Sequence, residues 1–352
     1  MNVTTGIGWT DATSNPLKYR DKATGETVWA CVKASPGCKN CYAEALTLRY
    51  GRGGEFAPSN IDSVEPYLCE KELGQILRSK KIAGKRVFIE DMSDLFGPWV
   101  PDGIIDAVFA VMFRRKDVTF QVLTKRADRM AAYLTDPSLS QRLHETIKHA
   151  MGYHHPDRPA VNSFDLPLPN VLVGFSAENQ SWFDRRAVHV AQLVRTGWRV
   201  WVSAEPLLGS IDPTRVKVPV PPKTQTISTV APAFREWATA NGIPTTREVP
   251  DGLRPIHGRV CELNALTGAT ITESGIGFSG SRGLSWGVVG GESGRGHRAC
   301  EPGWVADFAS HFRAAGVPVY VKQDSGPRPG QQGRLPLAVW EAKQHPEEAA
   351  RG

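Results

Sequence analysis

Short apolar runs alternate along most of the chain with segments that have the periodicity of a helix. The apolar runs lie at residues 27–30, 86–90, 118–123, 170–175, 199–202, 286–289 and 317–321. Segments with helical spacing of apolar residues follow several of them, at residues 103–113, 127–134, 182–194 and 304–313. Continuous apolar strands between amphipathic helices indicate a parallel sheet that is buried on both faces.

This alternation predicts an α/β fold built as a full or partial (β/α) TIM-like barrel. The absence of a dinucleotide-binding glycine pattern favours a barrel over a doubly wound sheet, although the sequence does not give the strand order that separates them. Residues 212–283 are rich in proline, glycine, serine and threonine, and a structureless loop of that length is uncommon. We therefore predict a barrel domain of residues 1–211 and 284–352, with residues 212–283 as an inserted subdomain.

Polar residues follow the predicted strands, at the edge of the sheet where barrel enzymes build their active sites. Helix capping explains a serine or an asparagine there, but it does not explain glutamates that recur just beyond three strands. We expect these side chains to converge on one mouth of the barrel. The residues in question are Glu90, Asp91, Ser93, Asp94, Thr124, Lys125, Ser176, Glu178, Ser203, Glu205, Glu292, Lys322 and Gln323.

Three of the six cysteines fall within eleven residues, at Cys31, Cys38 and Cys41. Thiolates are soft ligands that favour iron–sulfur clusters or zinc. Structural zinc takes four protein ligands, commonly from paired knuckles, whereas this loop holds one C-x2-C pair and no clear fourth ligand. A cluster with three protein ligands and one open iron fits better. Asn40 is expected to cap a helix that begins at Cys41, which places that thiol at the positive end of the helix.

The net charge, the length of the apolar runs and the cysteine content indicate in which compartment the protein acts and what it binds. The net charge is +6 and the sequence pI is near 9.0, which is compatible with a nucleic-acid or nucleotide partner. No apolar run approaches the roughly 20 residues that span a membrane, and the N-terminus lacks the pattern of a signal peptide. The cysteines do not form the dense framework of a secreted protein. We expect a cytoplasmic protein that does not act in a membrane.

Six sequence blocks together resemble the phage-associated three-Cys-motif family, which is related to radical S-adenosylmethionine (SAM) proteins. The blocks are GWTDAT at 8–13, SPGCKNCYAE at 35–44, DMSDLF at 91–96, FQVLTKR at 120–126, SAEPLLG at 203–209 and VGGESG at 289–294. The resemblance covers most of the chain except residues 212–283. It implies a barrel of the radical SAM type.

The resemblance also implies that Cys31, Cys38 and Cys41 hold a [4Fe–4S] cluster whose open iron binds SAM. Reductive cleavage of SAM would then start radical chemistry on a substrate. The spacing here is C-x6-C-x2-C with Asn40 before the last cysteine, where radical SAM proteins usually have C-x3-C-x2-C and an aromatic residue. The expected cofactor-binding residues are Glu90, Asp91, Ser93, Ser176, Gly290, Gly291 and Glu292, and the expected catalytic residues are Glu178, Glu205 and Lys125.

The expected substrate is a nucleic acid or a nucleotide. The further expected partners are an electron donor and, as an option, a partner protein. The alternative hypothesis is a non-enzymatic, zinc- or cluster-stabilised nucleic-acid-binding protein, which would bind nucleic acid in a salt-dependent way and ignore SAM. A third hypothesis is metal-dependent hydrolysis by the acidic strand-end residues, with a structural cysteine site.

Overall fold

The computed structural model describes residues 1–150, 166–219, 260–267, 270–271 and 283–346. Its strands are β1 (Ala12–Ser14), β2 (Leu17–Asp21), β3 (Thr27–Val28), β4 (Val64–Leu68), β5 (Arg86–Ile89), β6 (Thr119–Thr124), β7 (Val171–Ser176), β8 (Arg199–Ala204), β9 (Val216–Pro219), β10 (Val260–Leu263), β11 (Thr270–Ile271), β12 (Trp286–Gly290) and β13 (Val319–Gln323). Its α-helices are α1 (Tyr42–Arg49), α2 (Pro58–Asp62), α3 (Glu70–Arg78), α4 (Asp102–Arg114), α5 (Ala127–Leu134), α6 (Leu139–Ala150), α7 (Gln180–Arg195), α8 (Pro302–Ala314) and α9 (Leu337–Trp340).

Seven strands form the main sheet, in the order β1-β5-β6-β7-β8-β12-β13. The pairs β1–β5, β5–β6, β8–β12 and β12–β13 are parallel. This order follows the chain without a reversal, whereas a doubly wound sheet reverses its order at a switch point. The α/β class and a barrel-like strand order are therefore confirmed, and the doubly wound alternative is wrong. Among the described strands β1 and β13 end the order, as in a partial barrel.

The first strand of this sheet is not the one that the sequence predicts. The main sheet begins with β1, whose three residues pair with β5 through Ala12, Thr13 and Ser14. The predicted strand at 27–30 is instead β3, which belongs to a separate antiparallel sheet of order β3-β2-β4. The error has a physical reason, because a buried strand of three small or hydroxyl-bearing residues gives no apolar run.

The predicted insertion contains a second small sheet. Strands β9, β10 and β11 are antiparallel in the order β11-β10-β9, and they lie between β8 and β12 in the sequence. The helical piece predicted near residues 232–237 lies outside the described residues, as do residues 151–165 of the predicted loop at 151–169. The division at 211/212 and 283/284 stays a prediction.

Contacts group the chain into two compact units, Met1–Gly174 and Phe175–Gly352. In the first unit the apolar helix α4 is buried from Ile105 to Met112, and Phe96, Phe109 and Tyr133 pack edge to face within it. Asp106 of the same helix is also buried, and it accepts a hydrogen bond of 2.6 Å from the Tyr133 hydroxyl. The polar group in this core is thus satisfied by a neighbouring helix.

The second unit has an aromatic core of its own. The rings of Trp201 and Trp286 lie 5.0 Å apart on adjacent strands, and Phe308 stacks on Phe312 at 4.6 Å within α8. Gly287 of β12 lies directly beneath Phe312, so that a Cβ atom at this position would come within 2.5 Å of the ring. Close approach of α8 to the sheet therefore depends on a glycine. No helix in the described part of the chain is long and apolar enough to cross a membrane.

Replacement of Gly287 by alanine should destabilise the second unit. The added methyl group must displace the Phe312 ring, and overpacking of this kind costs about 1–3 kcal/mol. The matched control is Gly303→Ala in α8, where the new Cβ would meet nothing within 4 Å and where stability should be unchanged or rise by about 0.5–1 kcal/mol. Urea unfolding measures both changes. Equal stability of the two variants would contradict the packing described here.

Candidate metal centre

The three cysteines lie on a loop that runs from the end of β3 to the start of α1. Residues Pro36–Cys38 make one turn of 3-10 helix, and the Cys38 amide donates to the Ser35 carbonyl at 2.9 Å. Cys41 has extended backbone angles and is the N-cap of α1. The expected position of this thiol at a helix N-terminus is therefore confirmed, whereas the prediction that Asn40 caps the helix is wrong because the helix begins one residue later.

The three thiols are close enough to influence one another's ionisation. The pKa of the Cys31 thiol is raised to about 12, chiefly by burial and also by the carboxylate of Asp94, and the guanidinium of Arg126 opposes this shift. The thiolates of Cys38 and Cys41 also raise this pKa. Negative charge at one thiol thus disfavours charge at the others, as it does between any closely spaced acidic groups.

Cys41 is surrounded by groups that favour its thiolate. Burial raises the pKa of this thiol, and the backbone amides of Glu44 and Ala43 together with the ammonium group of Lys125 oppose that shift. The amides belong to the first turn of α1, where the helix dipole favours a negative charge. Lys125, which the sequence predicts as catalytic, therefore lies near the cysteine loop.

Arg126 connects the cysteine loop to the end of β6. Its guanidinium donates to Asp94 at 2.8 Å and to the Val32 carbonyl within the loop at 2.9 Å. The group also lies 4.6 Å from the centre of the Trp99 ring. Asp94 in turn accepts a hydrogen bond of 2.6 Å from Thr124, the last residue of β6. One guanidinium thus ties the loop to a strand end of the main sheet.

Three further contacts hold the loop and the start of α1. Lys33 pairs with the buried Glu44 at 2.8 Å, and the same carboxylate accepts from the Phe56 amide at 2.9 Å. The Tyr42 hydroxyl, directly after Cys41, donates to the Asp91 carbonyl beyond β5. The loop and the first residue of α1 are therefore linked to the segments after β5 and β6, through the Asp91 carbonyl and the Arg126 guanidinium.

The predicted cofactor-binding residues beyond β5 make contacts of their own. Asp91 accepts a hydrogen bond of 2.6 Å from the Asn15 amide, and burial raises its pKa. Glu90 is 2% exposed, and its two oxygens accept from the Leu17 amide at 2.7 Å and from the Ser93 hydroxyl at 2.8 Å. Burial raises the pKa of Glu90 to about 8.

Glu90 also has an unusual backbone conformation. It is in the left-handed region with a φ of 63°, where a residue with a side chain is uncommon and strained. In this conformation the Glu90 carboxyl bonds to Leu17 of β2, while the next residue, Asp91, contacts Tyr42 beside the cysteines. Glu90 therefore braces the strand end, and Asp91 is the acid that contacts the loop.

In the second unit the predicted glutamates each belong to an ion pair. Glu178 is fully buried and pairs with Arg186 of α7 at 3.3 Å. The Arg186 guanidinium also donates to the backbone carbonyl of Ser176, at 2.8 Å. Glu292 pairs with Arg298, whose Nε and backbone amide donate to the carboxylate at 3.0 Å and 2.8 Å. These contacts brace the ends of β7 and β12.

Glu205 and Lys322 meet across the strand that separates β8 from β13. Their side chains form an ion pair of 3.1 Å, and the Ser203 hydroxyl donates to the same carboxylate at 3.4 Å. Gly290 of the intervening β12 makes this possible, because a Cβ there would be 3.1 Å from the Glu205 carboxylate. Gly291 has even less space around it, because a Cβ atom at this position would lie 2.3 Å from the Ser325 amide nitrogen. Both glycines therefore serve close packing here.

The structure thus groups the predicted residues in two sets. In the first unit Cys31, Cys38, Cys41, Asp91 and Lys125 surround one loop, whereas Glu90 and Ser93 bond to each other at the β5 end. In the second unit the end of the sheet carries Ser176, Glu178, Glu205, Gly290, Gly291 and Glu292. The sequence prediction missed the roles of Tyr42, Trp99 and Arg186. Adjacency to Cys41 was the available signal for Tyr42, whereas the other two contacts needed the fold.

Three thiols on one loop are suitable metal ligands, but in the described residues they are not arranged around a common metal position. Across the described ranges, no three Cys, His, Asp or Glu side chains are already placed to hold a metal ion. Cys31 donates to the Val32 carbonyl at 3.7 Å, and Cys38 accepts from the Ala34 amide at 3.5 Å. These weak sulfur contacts must give way before the thiols can share a metal.

Comparison with known proteins gives a family without an assigned activity. A family model described as a protein of unknown function, DUF5131, matches residues 4–334. The chain belongs to this family. No curated protein matches it, and no solved structure matches it. DUF5131 membership covers both units, so the cysteine loop and the glutamate pairs belong to one family region.

Replacement of Glu90 by glutamine should change how stability depends on pH. Because the pKa of Glu90 is raised from 4.5 to about 8 in the folded protein, the folded state binds this proton more tightly. Stability is therefore lost as pH rises from about 4.5 to about 8. Glu90→Gln should remove this loss. As pH rises through this range, the free energy of unfolding of the variant should therefore increase relative to that of the wild type, on the order of 1 kcal/mol for each pH unit.

Urea unfolding at several pH values between 5 and 8.5 measures this effect. Glu65→Gln, at an exposed position of β4, is the control and should follow the wild-type pH dependence. A Glu90→Gln profile parallel to that of the wild type would show that the buried carboxyl does not titrate in this window.

Loss of the Arg126 guanidinium should cost stability through Asp94. The Asp94 side chain is 8% exposed, and a buried carboxylate that loses its cation costs about 3 kcal/mol or more. Arg126→Gln should therefore lower the free energy of unfolding by about this amount, whereas the double variant Asp94→Asn/Arg126→Gln should recover part of it. A double-mutant cycle in urea measures the coupling. Additive effects of the two changes would contradict a direct pair.

Proposed function

We propose that this protein is a radical SAM-type iron–sulfur enzyme in which Cys31, Cys38 and Cys41 hold a [4Fe–4S] cluster and SAM binds at the open iron. The observation that carries the proposal is the set of three closely spaced thiols on one loop. The partial barrel agrees with the radical SAM type but is common to many other enzymes. The proposal includes a nucleic acid or a nucleotide as substrate, an electron donor and room for a partner protein.

The charges around the loop suit such a cluster. Three thiolates and a cluster carry net negative charge, and Arg126 and Lys125 face them with the first amides of α1. These groups would stabilise the ligands in their ionised form, as metal binding requires. When bound, the cluster supplies one electron for the reductive cleavage of SAM.

The residues around the loop have separate roles in this proposal. Tyr42 and Arg126 would position the loop, through the Asp91 carbonyl and through Asp94. Asp91 is partly exposed and is a better acceptor for the amino group of SAM than Glu90, whose buried oxygens hold Leu17 and Ser93. Lys125 would favour the thiolate of Cys41, and the Glu178 and Glu205 pairs would shape the strand ends of the second unit.

The state of the cysteines agrees with a cytoplasmic setting, which is part of the proposal. Cys31, Cys38, Cys41, Cys69 and Cys300 are all free thiols, and thiols persist in a reducing compartment. The hydrolase hypothesis loses support, because Glu178, Glu205 and Glu292 are each occupied by a basic partner. The alternative is a zinc- or cluster-stabilised nucleic-acid-binding protein. Exposed basic and aromatic residues on α1 favour it, and metal identity separates it from the enzyme.

Metal analysis after anaerobic purification tests the proposal. We expect about four irons and four sulfides per chain, as in a [4Fe–4S] protein, and a near-complete loss of both in a Cys31→Ser/Cys38→Ser/Cys41→Ser variant. Cys69→Ser, which removes a free thiol outside the loop, should keep the wild-type content. Stoichiometric zinc with little iron would reject the enzyme in favour of the binding protein, and a cluster retained by the triple variant would reject the assigned ligands.

A further inference from the structure

The outer side of α1 carries an unusual amount of exposed apolar surface. Among the described residues four large apolar side chains are prominently exposed, and three of them belong to α1 or to the residue that ends it. Their exposed fractions are 50% for Tyr42, 49% for Leu48 and 64% for Tyr50. Scattered apolar side chains need no explanation, but a cluster on one short helix indicates an interaction surface.

The exposed charged side chains on α1 and next to it, within residues 39–54, are all positive. Residues 39–54 contain the exposed cations Lys39, Arg49 and Arg52 and a single acid, Glu44. That acid is buried and pairs with Lys33 at 2.8 Å. Within the described ranges none of the three cations has an ion pair. The surface is therefore complementary to a polyanion.

The helix places two of these residues, Tyr42 and Arg49, on one side. Tyr42 and Arg49 are seven residues apart, which is nearly two helical turns, so they lie on the same side at about 10 Å along the axis. Ala45, which lies between them, is exposed and leaves this side of the helix unobstructed. The Arg49 guanidinium lies 5.6 Å from the centre of the Tyr50 ring, so a cation and an aromatic face are presented together.

Tyr42 is exposed but held in place. Its hydroxyl donates to the Asp91 carbonyl, whereas half of its surface stays open to solvent. A ring that is tethered at its tip loses little entropy when another flat group stacks on it. Stacking of bases on such rings is sequence-tolerant, and it complements contacts between cations and phosphates.

We propose that this α1 surface, formed by Lys39, Tyr42, Leu48, Arg49, Tyr50 and Arg52, binds a single-stranded nucleic acid. Tyr42 and Tyr50 stack on bases, and the three cations contact phosphates. A single strand is favoured over a duplex because a duplex conceals its base faces. An acidic protein would use the cations but not the two ring faces beside them. The inference rests on the proposed function, for which it names the substrate class, because α1 begins directly after Cys41.

Fluorescence anisotropy on the full chain tests the inference. The probes are a labelled mixed-sequence 20-mer as single-stranded DNA, the same sequence as single-stranded RNA, and the blunt DNA duplex, at several salt concentrations. We expect the single strands to bind at least tenfold more tightly than the duplex. A preference for DNA or for RNA supports the proposal in either case and identifies which sugar the surface accepts.

Three variants separate stacking from charge. Tyr50→Ala should weaken single-strand binding by about tenfold, since base stacking on an aromatic side chain is commonly worth that much. Arg49→Gln/Arg52→Gln should weaken binding and lower the slope of log affinity against log salt by about 1.4, or 0.7 for each lost phosphate contact. The control Lys80→Gln/Lys81→Gln removes two exposed cations that precede β5, and it should bind as the wild type does.

Four results would overturn the inference. They are no single-strand binding at 50 mM salt, equal loss in the control and in the arginine variant, duplex binding as tight as single-strand binding, or competition by a poly-glutamate peptide as effective per charge as by the oligonucleotide. The last would identify an acidic protein as the partner. Iron is measured on the same samples, so binding without iron rejects the enzyme alone, and iron without binding rejects this surface alone.

Discussion

The ion pair between Arg126 and Asp94 holds together the part of the first unit on which the candidate metal centre depends. Asp94 follows β5 and is bonded to Thr124 at the end of β6, whereas Arg126 reaches from β6 to the Val32 carbonyl in the cysteine loop. One buried pair therefore links the loop to the ends of both strands, beside the contact of Tyr42 with the Asp91 carbonyl. Because a buried pair needs both partners, each residue depends on the other to keep the thiols in position.

Burial and the neighbouring positive groups act in opposite directions on the ionisation of the cysteine thiols. Burial and neighbouring negative charge raise the pKa of Cys31, while Arg126, Lys125 and the start of α1 favour thiolates. Two of the sulfur atoms make only weak hydrogen bonds, Cys31 to the Val32 carbonyl and Cys38 from the Ala34 amide. This combination describes ligands whose ionised form is supported by the surroundings but opposed by burial. In the proposed function, a bound metal would add positive charge and so favour the thiolates.

The sequence predicted which segments form most strands of the main sheet, but it did not predict which side chains contact one another. Apolar runs identified β5, β6, β7, β8, β12 and β13, because strands buried on both faces must be apolar throughout. They missed β1, whose Ala12, Thr13 and Ser14 are buried without being large. The glutamates beyond the strands were noticed from the sequence, but their partners were not. Arg186 lies eight residues after Glu178, and Lys322 lies far along the chain from Glu205, so that only the fold brings each pair together.

The central claim is that SAM binds at an iron of the cysteine loop, and electron-paramagnetic resonance tests it most directly. The protein is purified anaerobically, reduced with dithionite, and measured with and without SAM. The account predicts the signal of a reduced [4Fe–4S] cluster whose g values shift when SAM is added, because SAM binds to the open iron. A cluster signal that SAM leaves unchanged would contradict a radical SAM-type site, and the absence of any cluster signal would contradict the metal centre itself.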